Sequence, residues 1–99
     1  MESQLVEKYR ECGWSIYHVS SINDFIAHRS RGLATQTHFI QLIKGPDDPR
    51  LASEAQNAFI QNAFSNNAEP IHATSAGSKK IKLVNINEGT VLKMRKLKP

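Results

Sequence analysis

Glu7, Asp24, Gln41 and Lys44 are the residues whose types and spacing could do chemistry together. Asp24 opens an apolar stretch, DFIAH, and Gln41 and Lys44 lie on the next one, THFIQLIK. If the two stretches pair as an antiparallel hairpin, Asp24 approaches Gln41 across it. A carboxylate, a second oxygen ligand and a lysine at one end of a hairpin can hold Mg2+ and a water against a phosphodiester. Asp24 and Gln41 would then be the metal ligands. The same residues also read as an Asp satisfied at a strand start, a polar Gln and a Lys that ends a strand, and spacing alone favours that plainer reading.

Other reactive side chains form no recognisable motif. His18, His28, His38 and His72 fall one to each of four expected strands, with no HxH, CxxC or HExxH spacing, so a zinc cluster is not indicated. Cys12 has no basic neighbour at the end of its helix and reads as a core thiol. A chain with this one cysteine cannot form an internal disulfide, which fits a reducing compartment. GxSxG, GxxxxGK[ST] and GxGxxG are absent, which removes the usual hydrolase elbow and phosphate loops.

The elements that must position these residues follow from periodicity. Leu5, Tyr9 and Cys12 recur at helical spacing, with Ser3 as an expected N-cap and Gly13 as the stop. Trp14 to Ser20 is aromatic and β-branched and predicts a strand, followed by strands over Asp24 to His28 and Thr37 to Lys44. Residues 29–36 are expected as a polar loop. Asp48 as N-cap and Pro49 at N1 open a helix to about Ser65, with Leu51, Ala55, Ala58, Phe59 and Ala63 as its buried stripe. Asn66-Asn67 can end it. Strands are then expected over Glu69 to Thr74, Lys80 to Ile86 and Thr90 to Met94, with a turn over Ser75 to Ser78. The expected fold is α/β, in the order α-β-β-β-α-β-β-β. The second helix is long enough for a parallel crossover.

Ninety-nine residues suit one domain. No apolar run is long enough to span a membrane, and the N-terminus does not read as a secretory signal. The net charge of +4 is uneven. Residues 1–78 carry six Lys/Arg and eight Asp/Glu. Residues 79–99 carry Lys79, Lys80, Lys82, Lys93, Arg95, Lys96 and Lys98 against Glu88. Such a segment suits a polyanion, and these seven are the expected nucleic-acid contacts. No aromatic residues interleave with them, which argues against a base-stacking platform.

A helix ending in GWSIYHVS, then DFIAH, a loop, THFIQLIK, a helix and a strand starting Glu69-Pro70-Ile71 resembles the PD-(D/E)xK nuclease superfamily. The small Holliday-junction resolvases are the nearest in look. The resemblance covers about residues 4–74 and rests on element order and a few positions. It implies a restriction-endonuclease-like fold, with a central mixed sheet flanked by helices. Residues 1–94 would form one nuclease-like domain and residues 95–99 a basic tail. It further implies Glu7 as the helix carboxylate, Asp24 and Gln41 as metal ligands, Lys44 as the catalytic lysine, and Mg2+ as cofactor where cleavage occurs. Three positions depart from the family pattern: Asn23 precedes Asp24 where the family has Pro, the second ligand is Gln, and two residues separate Gln41 from Lys44 instead of one. On a regular strand those two side chains face opposite ways, so they share a site only if a bulge near Gly45-Pro46 shifts Lys44.

The expected function is therefore nucleic-acid binding, DNA before RNA, on a nuclease-like fold with weak or no cleavage. The alternatives are an active metal-dependent endonuclease of resolvase type, and a structural subunit that forms a homodimer through residues 80–94. No membrane partner is expected, and the location would be intracellular, cytoplasmic or nuclear.

Overall fold

A computed structural model describes residues 1–77 and 80–98. The expected contact Lys79 and the end of the expected Ser75 to Ser78 turn lie outside the described residues. The order is α1 (Glu2–Glu11), β1 (Ser15–His18), β2 (Phe25–Arg31), β3 (Ala34–Ile43), a 3-10 turn (Pro49–Leu51), α2 (Ser53–Ser65), β4 (Glu69–Ser75), β5 (Ile81–Asn85), β6 (Thr90–Val91) and α3 (Met94–Leu97). The strands form one sheet in sequence order. β3 and β4 pair in parallel and the other neighbours antiparallel. The α/β class and the mixed sheet between helices are as expected.

Alternation along the strands gives the sheet two covered faces. Phe25, Ala27, Ile40, Ile71, Ala73 and Leu83 pack with Leu5 and Tyr9 of α1 and Leu97 of α3. Phe39 faces the other way and packs with Phe59 and Ala63 of α2. Burial on both faces explains why FIQLI, at the centre of THFIQLIK, does not alternate between apolar and polar residues. Within α2, Ala58 is exposed, so the expected stripe is narrower by that residue.

Several boundaries differ from expectation for local reasons. Ser3 lies inside α1, and the cap position falls on Met1 with no side-chain bond. Asp48 does cap, accepting from the Arg50 N–H, but the turn it opens is interrupted at Ala52 before α2 begins. Asn67 ends α2 in the left-handed region, φ 54°.

Residues 29–36 are not a loop. β2 and β3 continue as a hairpin through Arg29↔Gln36, Ser30↔Thr35 and Arg31↔Ala34, turning at Gly32-Leu33 with Gly32 at φ +66°. Its polar composition hid it, because β1 pairing stops at His28 and β4 pairing starts at His38. The hairpin therefore projects past its neighbours, with little core beneath it.

The chain end also departs from expectation. The strand expected over Thr90 to Met94 stops at Val91, and the stretch expected as a basic tail enters α3. Leu97 is fully buried there. The Trp14 indole N–H donates to the Leu97 carbonyl (2.8 Å). Arg29 donates to the same carbonyl and to that of Lys96 (3.1 Å), with its guanidinium 4.5 Å above the Trp14 ring. An apolar anchor and donors for the last carbonyls hold this segment as a docked turn.

Candidate functional site

Asp24 sits just before β2, beside the carboxyl end of β3. Its N–H donates to the Ile40 carbonyl (2.9 Å), and its Oδ2 accepts from the Leu42 N–H (2.7 Å). The same oxygen accepts from Arg50 Nη1 at 2.6 Å. Arg50 also donates to Asp48 Oδ1 and Oδ2, each at 3.3 Å, and to the Leu42 carbonyl. One guanidinium thus joins two carboxylates and a main-chain carbonyl. Asp48 accepts two further bonds, from the N–H groups of Lys44 (3.1 Å) and Arg50 (2.9 Å).

The electrostatics agree with this geometry. Hydrogen bonding from the Arg50 side chain, then from its backbone, lowers the Asp48 carboxyl from 3.8 to about 2. Burial alone would lower the Arg50 value, but its bonds to Asp48 and Asp24 raise it above the ordinary arginine range.

An open cleft of about 920 Å³ surrounds this cluster. Glu2, His18, Asp24, Leu42, Lys44, Asp47, Asp48 and Arg50 line it, together with Gly45, Pro46 and Pro49. Its four carboxylates outnumber its Lys and Arg, so the cleft itself does not attract phosphate.

The expected site residues do not all meet here. Asp24 and Lys44 share the cleft, but Gln41 does not line it. Gln41 is buried, donating through Nε2 to the Ile22 carbonyl (2.9 Å), with its Oε1 2.8 Å from His72 Nε2. The Ile22 carbonyl fixes the amide orientation, so the proton between Gln41 and His72 belongs to His72 Nε2. His72 stacks on Phe59, which places the pair on the α2 side of the sheet. β3 ends at Ile43, and no bulge brings Lys44 beside Gln41. Glu7 is exposed and also outside the cleft, while Glu2 of the same helix lines it. Five residues along a helix rotate a side chain by about 140°, which accounts for the exchange.

These residues do not fit a divalent metal as arranged. Asp24 is engaged by a guanidinium and a main-chain N–H, and Gln41 has both amide atoms committed on the other face. Among the described residues no group of His, Cys, Asp and Glu is placed to hold a metal ion. The histidines are dispersed. His18 lines the cleft, His28 packs edge-on to Tyr17, and His38 lies buried between Tyr9 (2.9 Å) and Glu69 (2.9 Å).

The expected basic contacts divide between regions. Lys93 precedes α3, and Arg95, Lys96 and Lys98 are exposed on or just after it. Lys80 lines a groove beside α1, and Lys82 is exposed on β5 next to buried Leu83. Arg50 was the residue missed. Its signal in sequence was the Asp48-Pro49-Arg50 helix start just after β3, although nothing in the spacing identified Asp24 as its partner.

The comparisons bear on the fold alone. No family model matches the chain, and no curated protein matches its sequence. Among solved structures it is similar to the 1.6 Å structure of Hjc, a Holliday junction resolvase from the archaeal hyperthermophile Archaeoglobus fulgidus. The TM-score is 0.66 at 18% identity, over 86% of this chain and 75% of that one. At that identity the likeness shows a shared fold, which is the resolvase-type fold expected from the order of elements.

Proposed function

We propose that this chain binds nucleic acid on a resolvase-type fold and does not cut it. The observation that carries the reading is a separation of charge. The cleft beside Asp24 has excess carboxylate, with Arg50 ion-paired there to Asp24 and Asp48, while Lys93, Arg95, Lys96 and Lys98 gather at a docked helix. Because Leu97, Trp14 and Arg29 hold that helix, its cations are displayed from a fixed backbone. Arg31, on the projecting β2–β3 hairpin, is exposed as well. DNA is the first ligand to examine, since the protein of similar fold is named a Holliday junction resolvase. An intracellular setting, cytoplasmic or nuclear, fits such a partner, and no helix among the described residues is long and apolar enough to cross a membrane.

The test is fluorescence anisotropy with junction, duplex and single-stranded DNA and with RNA over a salt series. Affinity should fall steeply with salt, and replacing Lys93, Arg95, Lys96 and Lys98 by Gln should flatten that dependence for every sequence. Absence of binding to all of these at low salt would overturn the proposal. Pairing of two copies is a second reading, supported by the sheet edge at β6, where Val91 is exposed. Light scattering that gives a monomer at every concentration would remove it.

A further inference from the structure

We propose that Arg50 is a built-in cation, filling an oxygen cluster that becomes a divalent-cation site when its side chain is removed. This rests on the cleft geometry and does not depend on nucleic-acid binding.

The guanidinium is surrounded by Asp24 Oδ2, both carboxylate oxygens of Asp48 and the Leu42 carbonyl. Carboxylates with a main-chain carbonyl are the hard oxygen ligands that Mg2+, Ca2+ and Mn2+ prefer. Arginine stays charged at any ordinary pH, and its planar fork can serve several acceptors at once. A metal ion entering the intact cleft would have to displace a partly buried cation from these partners.

The cluster is also held by groups other than the Arg50 side chain. The Leu42 N–H holds Asp24, and the N–H groups of Lys44 and of residue 50 itself hold Asp48. These main-chain donors persist in Arg50→Ala, so both carboxylates keep their aim while losing their counter-charge. Glu2 and Asp47 line the same cleft and add further negative charge.

The experiment uses the full chain as wild type, Arg50→Ala, and Asp24→Asn combined with Arg50→Ala. Mn2+ binding is followed by electron paramagnetic resonance, and thermal melting is measured with and without Mg2+, Ca2+ or Mn2+. Arg50→Ala should bind Mn2+ about tenfold or more tightly than wild type, a difference of roughly 1.4 kcal/mol or more. It should melt higher with metal, and the double variant should lose both effects. Equal Mn2+ binding by wild type and Arg50→Ala would overturn the proposal, as would a folded Arg50→Ala that ignores metal. If Arg50→Ala is unfolded in buffer, recovery of its folded circular-dichroism signal on adding Mn2+ supports the proposal, and failure to recover overturns it.

Discussion

Asp48 owes its acidity to Arg50, and that ties stability to pH. Its folded value of about 2 lies below the ordinary 3.8, so the bonds contribute stability above that value. The contribution falls away as pH drops through about 2. Acid titrations of wild type and Asp48→Asn should show wild type more stable at neutral pH, with the gap closing across this window. His72 is the complementary case. Burial, then the nearby Arg50 charge, lowers its value below 6.5. The folded state thus favours the neutral ring, and stability falls as pH drops below 6.5 through the lower folded value. Replacing Gln41 by Leu strands the His72 N–H and the Ile22 carbonyl, and should cost about 1–3 kcal/mol in urea denaturation. Asp24 was legible in the sequence as an acid at the head of a strand. The direction of Gln41 followed from strand alternation. Arg50 was hidden because its acceptors on Asp24 and Leu42 become neighbours only in the folded chain.

At the scale of elements, strong periodicity could be read and docking could not. β3, α2 and β4 carry enough buried apolar residues to announce themselves, and the parallel pairing of β3 with β4 followed from the length of the connection. The β2–β3 extension was concealed by its polar composition, although the Arg29 Nε–H bond to Gln36 (3.1 Å) ties its base together. α3 was concealed by lysines. Its one decisive apolar residue, Leu97, stands in a basic stretch, and its polar partners Trp14 and Arg29 belong to distant segments. Leu97→Ala should therefore destabilise the protein by about 2–5 kcal/mol, the scale of a buried Leu truncation. In a mere tail the same change would be close to neutral. Thermal or urea unfolding distinguishes the two outcomes.

Over the whole molecule, the sheet separates two electrical tasks. Its cleft at the carboxyl end of β3 keeps an internal cation among carboxylates, while the chain end displays lysine and arginine on a docked helix. On the function proposed above, this fold would bind without cleaving, because phosphate attraction depends on surface cations and metal chemistry depends on open oxygen ligands. The most direct measurement is gel electrophoresis of end-labelled four-way junction DNA, incubated at low salt with the full chain in Mg2+ or Mn2+. The DNA should be retarded on a native gel and intact after denaturation. Lack of retardation would contradict the account, as would cutting that disappears in Asp24→Ala.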